Sequence, residues 1–303
     1  MRITRTLTAI AAATALTFAT VAFAAARGFG AWSPAIAAES IAGTSGDLNT
    51  AALEGCPFVA QRDDILYFAS NRAGGMGGLD IWYARRGADG GWGVPVNFVE
   101  VNSPANELCP MAHRNGKTFL FVSARPGGCG GDDLYMTRLH ATRGWAAPAN
   151  LGCTVNSGDN EASPSLLETE LYFSSTRAGG VGDIYVSAFD GASFGAPVLA
   201  AGLNSAQDDH RPNLRRDGLE IFFDSNRPGG IGGLDLWTSV RTTTADPWPT
   251  PTNLGSGINS SANDLRASLS WDGTTLYFGS TRLGGEGSQD LYYATRTPLS
   301  GSD

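Results

Sequence analysis

The chain has 303 residues, of which 40 are Gly and 15 are Pro, and only 17% are charged. A composition so rich in turn residues excludes a predominantly helical protein, while 42% hydrophobic residues are enough to build a core. The formal net charge is -8 and Lys117 is the single lysine, so the sequence offers no basic patch that could neutralise the phosphates of a duplex. Nucleic acid is therefore not an expected partner.

The first 26 residues have the pattern of a secretory signal. Arg2 and Arg5 form a short basic head, and an Ala-rich apolar run extends from Leu7 to Ala26. Small-x-small sequences place the cleavage after Ala24 or, alternatively, after Ala37. No Cys lies at either site, so no lipid anchor is predicted. We expect a periplasmic or secreted protein whose mature chain has no transmembrane anchor and is a monomer.

One sequence unit recurs five times and predicts the fold. Its centre is an alternating apolar run closed by Ser-x-Arg, followed by a Gly-rich turn, an Asp and a second alternating run. Two runs of period two joined by such a turn are typical of a β-hairpin. The arginines are Arg72, Arg125, Arg177, Arg227 and Arg282, and the aspartates are Asp80, Asp133, Asp183, Asp235 and Asp290.

Two further strands complete each unit. An Asn and, five residues later, an acid precede a short apolar strand before the hairpin, and an aromatic residue with a nearby Pro marks a strand after it. Units start near residues 49, 102, 156, 204 and 259. Four strands over about 50 residues is the size of a propeller blade. We therefore predict one all-β domain over residues 30–303, a five-bladed β-propeller of four-stranded blades.

The fifth unit ends before its outer strand, because few residues follow Asp290. The N-terminal segment between Trp32 and Asn49 is expected to supply that strand and close the ring, which removes free sheet edges. Either the stretch around Trp32 and Pro34 or the stretch Glu39–Ala42 could form it.

The last unit also carries the motif of a known repeat. Ser270-Trp271-Asp272-Gly273 leads into the run Leu276–Arg282 and then into Asp290-Leu291-Tyr292. This combination resembles the WD40-like β-propeller repeat of TolB-type exported bacterial proteins. The resemblance covers the expected mature chain, and it implies a propeller that serves as a binding scaffold.

Five acids occupy one position in the repeat, just before the innermost strand, and are expected to form a ring at the channel mouth. They are Glu54, Glu107, Glu161, Asp209 and Asp264. A bare ring is unfavourable, since like charges about 8 Å apart repel by about 2 kcal/mol per pair at an effective dielectric of about 20. Each acid therefore pairs with a Ser-x-Arg guanidinium, the favoured alternative, or the ring holds a cation. These acids and His210 are the candidate ligand-binding residues.

The repeated Arg and Asp are interpreted as parts of the blade architecture. The two residues flank each hairpin turn and could form a charge-assisted hydrogen bond across it. A residue needed identically in every blade is more simply explained by structure than by catalysis.

Catalysis on this fold would need a cluster that breaks the symmetry, such as the carboxylate pair of a glycoside hydrolase. The acids found in single blades are Asp63, Asp64, Asp132, Asp159, Glu168, Glu170 and Asp208, and most lie in predicted turns away from the channel. No catalytic residue, cofactor or metal is predicted. The expected function is a non-catalytic exported binding module with a protein or cell-envelope glycan ligand at the channel mouth. The alternative is a carbohydrate-active enzyme of the glycoside hydrolase type.

The four cysteines predict disulfides in an exported chain. Cys129 in the second hairpin turn is expected to pair with Cys153, closing a loop of about 25 residues. Cys56 and Cys109 occupy the same repeat position in neighbouring blades and form the second candidate pair. Four free buried thiols are the alternative.

Overall fold

The computed structural model describes residues 28–299, so the predicted signal segment lies outside the described residues. Five antiparallel sheets are arranged as the blades of a propeller, and the order of strands in each sheet matches the order of the repeat. The fold class is therefore confirmed as an all-β, five-bladed propeller. Within residues 28–299, no helix is long and apolar enough to cross a membrane.

Each blade has an inner strand, two middle strands and a short outer strand. The inner strands are Glu54–Val59, Glu107–Ala112, Glu161–Leu167, Asp209–Leu214 and Asp264–Leu269. The second strands are Ile65–Ser70, Thr118–Ser123, Glu170–Ser175, Glu220–Ser225 and Thr275–Ser280. The third strands are Asp80–Arg85, Asp133–His140, Asp183–Ala188, Asp235–Val240 and Asp290–Thr295.

The outer strands are two residues long and follow the repeated Pro. They are Val96–Asn97, Ala149–Asn150, Val198–Leu199, Thr252–Asn253 and, for the fifth blade, Ile36–Ala37. Blade two has an additional short strand, Gly144–Trp145, which pairs with its third strand. The core lies between blades, where the second strands contribute fully buried aromatic residues such as Phe68, Phe121 and Phe173.

The N-terminal segment closes the ring, as expected. Ile36 and Ala37 pair with Tyr293 and Tyr292 of the fifth blade. The strand lies just after Pro34, so the aromatic and Pro pair marks it as in the other blades. The alternative stretch after Ala37 forms a short 3-10 helix, Ala38–Ser40, instead of a strand.

A buried ion cluster fixes this closing segment. Glu220 of blade four accepts hydrogen bonds from Arg296 at 2.7 and 2.8 Å and from Arg215 at 2.7 Å. The Arg296 guanidinium in turn lies 3.9 Å from the Phe29 ring and 4.4 Å from the Trp32 ring. Charge and cation–π contacts therefore join the N-terminal segment to blades four and five.

The repeated Asn joins each blade to the one before it. The Asn49 side chain accepts the N–H of Leu291 at 2.7 Å and donates to the carbonyl of the same residue at 3.2 Å. The equivalent pair is formed by Asn102, Asn156, Asn204 and Asn259 with Ile81, Leu134, Ile184 and Leu236. Each Asn side-chain amide thus pairs with the backbone N–H and C=O of one residue in the preceding blade. These two hydrogen bonds link neighbouring sheets.

We predict that a chain starting at Ala38 is much less stable than one starting at Gly28. The shorter chain loses the closing strand and the aromatic contacts with Arg296, which should cost at least about 3 kcal/mol. Thermal unfolding of the two purified chains measures the difference, with an expected Tm decrease of about 10 °C. Equal melting temperatures would show that the closing strand contributes little.

Candidate functional site

The five repeated acids lie inside the blades. All five are fully buried, and each forms an ion pair with the Ser-x-Arg guanidinium of its own blade. In blade one, Glu54 accepts hydrogen bonds from Ser70 Oγ at 2.7 Å, Arg72 Nη2 at 3.0 Å and the Thr50 N–H at 2.9 Å. Both carboxylate oxygens therefore have partners, which argues against the predicted ligand-binding role of these acids.

The repeated Asp does not pair with the repeated Arg, contrary to the suggested contact across the hairpin turn. Asp80 instead accepts the N–H groups of Met76 at 2.5 Å and Gly77 at 3.3 Å within that turn. The equivalent Asp in blades two, four and five does the same, for example Asp290 with Gly287. The Arg forms its ion pair with the buried acid of its own blade. Its guanidinium also lies over the aromatic residues of the hairpin, 5.0 Å from the ring of Phe68 in blade one.

Both expected disulfides are present. Cys129 and Cys153 link the second hairpin turn to the segment that leads to blade three, with Cα atoms 5.5 Å apart. Cys56 and Cys109 join the inner strands of blades one and two, with Cα atoms 4.8 Å apart.

The axial channel has two ends. We call the end at the Gly-rich hairpin turns the turn end. The opposite end, at the loops between first and second strands, is called the loop end. A cavity at the loop end is lined by Phe58, Met111, Leu166, Leu214 and Leu269, with Trp271 at its side. Polar residues line the same cavity, among them Gln61, Arg114, Asn213, Arg215 and Arg216.

A bulge in every inner strand determines what lines the channel. The third residue of each strand has positive φ, and the pairing register shifts there in all five blades. These residues are Cys56, Cys109, Ser163, Arg211 and Arg266, and all five line the narrow part of the channel. A bulge re-aims a side chain out of the regular alternation, so this one repeat position forms the axial wall.

This position breaks the five-fold symmetry. Blades one and two contribute a disulfide, blade three a hydroxyl, and blades four and five a guanidinium each. Asp224, on the second strand of blade four, is fully buried and forms an ion pair with Arg211 at 2.5 Å. Its other oxygen accepts the backbone N–H of Arg266 at 2.9 Å. One carboxylate therefore contacts the guanidinium of Arg211 and the backbone of Arg266.

The Arg266 guanidinium has no ionic partner within the described chain. The ion pair nearby joins Arg211 and Asp224, and Arg266 Nε is buried without a hydrogen bond in residues 28–299. Burial, together with the charge of Arg211, lowers the pKa of Arg266 to about 9. The Arg266 guanidinium thus interacts with the carboxylates of Asp224 and Asp132 only beyond ion-pair distance.

Acidic groups lie at the rim of the turn end. Asp132 lies in the turn before the third strand of blade two, and Asp208 precedes the inner strand of blade four. Burial raises the pKa of the Asp132 carboxyl, with a further contribution from Asp133, while Arg266 opposes the shift. The Asp208 carboxylate is 36% exposed and accepts the N–H of Gly182 at 3.1 Å.

His210, a predicted ligand-binding residue, is located at this rim. Its side chain is 19% exposed, and Nε2 lies 3.5 Å from Asp208. Burial and the charge of Arg211 lower the pKa of the imidazole. His210 therefore stays a candidate, and it is neutral near pH 7.

The sequence reasoning missed Arg211, Arg266, Asp224 and Ser163, and it set Asp132 and Asp208 aside as turn residues. A column-by-column comparison of the repeats could have found them. The residue before the repeated Ser is Ala69, Val122, Ser174, Asp224 and Gly279, so one charged residue stands among small and apolar ones. The argument that no acid breaks the symmetry near the channel was therefore wrong. Within residues 28–299, no three His, Cys, Asp or Glu side chains are grouped to hold a metal ion.

Comparisons with known proteins identify the fold but no family. No family model and no curated protein matches the chain. An α-L-arabinofuranosidase from Lactobacillus brevis is similar in structure with a TM-score of 0.56 and 13% identity, covering 88% of this chain and 95% of that one. A family-43 endo-arabinanase from Bacillus licheniformis has a TM-score of 0.54 and 12% identity, over 82% and 94% of the two chains.

A TolB protein from Agrobacterium tumefaciens has a TM-score of 0.50 and 13% identity, covering 82% of this chain and 91% of that chain. The structural neighbours thus include TolB propellers, as the repeat suggested, but also enzymes that act on glycans. The expectation of a non-catalytic scaffold, drawn from the TolB-type resemblance, is corrected by these neighbours and by the asymmetric cluster at the axis.

We predict that Glu161→Gln destabilises the protein by about 1 to 3 kcal/mol, because Arg177 would keep its charge without a carboxylate partner. Urea unfolding measures the loss, and Glu100→Gln at an exposed position is the matched control. Calcium should leave the Tm unchanged, since the acid already has its partners. A calcium-dependent rise in Tm that a chelator reverses would instead reveal a cation at the acids.

Proposed function

We propose that this chain is a carbohydrate-active enzyme that cleaves glycosidic bonds at the turn end of its axial channel. The observation that carries the proposal is the pair of unlike carboxyl groups at the rim of one asymmetric site. Glycoside hydrolysis needs one protonated acid and one ionised carboxylate near the bond. Asp132, whose pKa is raised by burial, is the candidate acid, and Asp208, whose side chain is 36% exposed, is the candidate carboxylate.

Asp132 is assigned as the general acid that protonates the leaving oxygen. It lies at the junction of blades two and three, where the N–H of Glu161 donates to its carbonyl at 2.7 Å and fixes the backbone. Its carboxyl is close enough to Arg266 for the two charges to interact.

Asp208 is assigned as the base that activates water. It occupies the junction of blades three and four, the next one around the ring, and lies beside His210. Asp224 has a positioning role, because it holds Arg211 and the backbone of Arg266 at the channel floor.

The enzymes among the structural neighbours support the proposal at the level of the fold. The arabinofuranosidase and the endo-arabinanase match this propeller over 88% and 82% of the chain, and their names identify glycans as their substrates. The same function suits an exported protein. The apolar leader, the two disulfides and the similarity of the repeat to the TolB-type WD40-like repeat support a periplasmic or secreted location.

We predict that the mature protein releases reducing sugars from a polysaccharide panel that includes arabinan, glucuronoxylan and polygalacturonate. Asp132→Asn and Asp208→Asn should each lower kcat by at least about 100-fold, the usual contribution of general acid–base catalysis. Asp159→Asn, an exposed aspartate in the loop after blade two, is the matched control and should retain full activity. Absence of activity on every polymer, or full activity in both variants, would contradict the proposal.

The pH dependence provides a second test. A general acid works in its protonated form, so kcat should decrease as the pH rises through the raised pKa of Asp132. The alkaline limb of the pH–rate profile should therefore lie above the ordinary range of an aspartate. It should disappear in Asp132→Asn when an activated aryl glycoside, which needs no protonation of its leaving group, is the substrate.

A further inference from the structure

Three hydrogen-bond donors at the turn end of the channel are buried without an acceptor. Ser163 Oγ, Arg266 Nε and Gln289 Nε2 have no hydrogen-bond partner within residues 28–299. Their number is notable because an unmatched buried polar group costs about 1 to 3 kcal/mol. Each of them can donate a hydrogen bond to an acceptor that the described chain does not supply.

Ser163 belongs to blade three, whereas Arg266 and Gln289 both belong to blade five. Ser163 and Arg266 both line the narrow part of the channel. The glycine at position 55 brings the third donor close. A Cβ at Gly55 would lie 2.3 Å from Gln289 Nε2 and 3.1 Å from an Arg266 Nη atom. Only a residue without a side chain permits the amide and the guanidinium to approach each other here.

The charges select the chemistry of the missing group. Asp224 pairs with the Arg211 guanidinium but accepts only the backbone N–H of Arg266, so the Arg266 guanidinium makes no ion pair in the described part of the chain. A guanidinium presents parallel N–H groups that match the two oxygens of a carboxylate. One carboxylate therefore fits both the charge and the donors.

We propose that the channel floor at Arg266 is a subsite for the carboxylate of an acidic sugar, so that the substrate class is a glycan containing uronic acid. This inference rests on the proposed function, because the carboxylate at the floor would place its glycosidic bond near the rim residues Asp132 and Asp208. A neutral sugar would leave the three donors unsatisfied and would be rejected for that reason.

Binding measured without turnover tests the inference. We would titrate the Asp132→Asn protein with methyl galacturonoside and methyl glucuronoside by calorimetry, with methyl galactoside as the neutral partner. The uronides should bind at least tenfold more tightly than the neutral sugar. Sodium chloride and acetate, titrated alone, distinguish an acidic sugar from a free anion. Binding of the free anions with no gain from the sugar ring would overturn the assignment.

Arg266→Met and Gln289→Leu should each weaken uronide binding by at least tenfold, whereas Arg143→Met at an exposed position should not change it. Arg266→Met has a second readout that a purely structural residue would not give. Because it removes an unpaired buried charge, the ligand-free Tm should stay the same or rise. A lower Tm with unchanged uronide binding would assign Arg266 to the fold and overturn the subsite.

The two proposals fail in different ways. Uronide binding without hydrolysis of any polymer would contradict the catalytic function and leave the subsite intact. Hydrolysis of arabinan with no preference for an acidic polymer, and with full activity in Gln289→Leu, would contradict the subsite and leave the catalytic function intact.

Discussion

The bulge in the inner strands is the constraint on which the site depends. In a regular strand, side chains alternate between the two faces of the blade, and none is directed along the axis by that alternation alone. The third residue of every inner strand instead has φ between 49 and 61° and lines the channel. Such a conformation is unfavourable by about 1 to 3 kcal/mol for a residue other than Gly. It persists because pairing on both sides of the bulge holds the strand in place.

The rest of the repeat supplies stability and leaves the bulge position free to vary. The buried acid, Ser and Arg fasten each hairpin to the loop that precedes its inner strand, and the repeated Asn fastens each blade to its neighbour. None of these contacts involves the axial side chain. A disulfide can therefore stand in two blades and arginines in two others without any change in the blade. The candidate functional residues lie at repeat positions whose residue type differs between blades.

The propeller could be predicted because its signals are local and repeated. Alternating apolar runs, Gly-rich turns and an Asn in each unit predicted the blades, and the missing outer strand of the last unit predicted closure by the N-terminal segment. Both disulfides followed from placing cysteines in the repeat. These inferences needed only the position of a residue within its unit.

The site could not be predicted in the same way because it depends on direction. The acids were expected at the channel mouth, with pairing to the Ser-x-Arg guanidinium as the favoured alternative. The pairs are present, but they lie buried inside the blades. The bulge that turns Arg211 and Arg266 toward the axis has no signal in the apolar alternation, although a Pro follows it in four blades. Asp224 stands within an apolar run, where it was overlooked. Its importance comes from two arginines that are distant from it in the sequence.

A crystal structure of the mature Asp132→Asn protein soaked with a uronic acid disaccharide would test the location of the site most directly. We expect the carboxylate against Arg266, with hydrogen bonds from Ser163 and Gln289, and the glycosidic bond between positions 132 and 208. Density for the sugar in the cavity at the loop end, near Trp271, with an empty channel floor, would contradict this location.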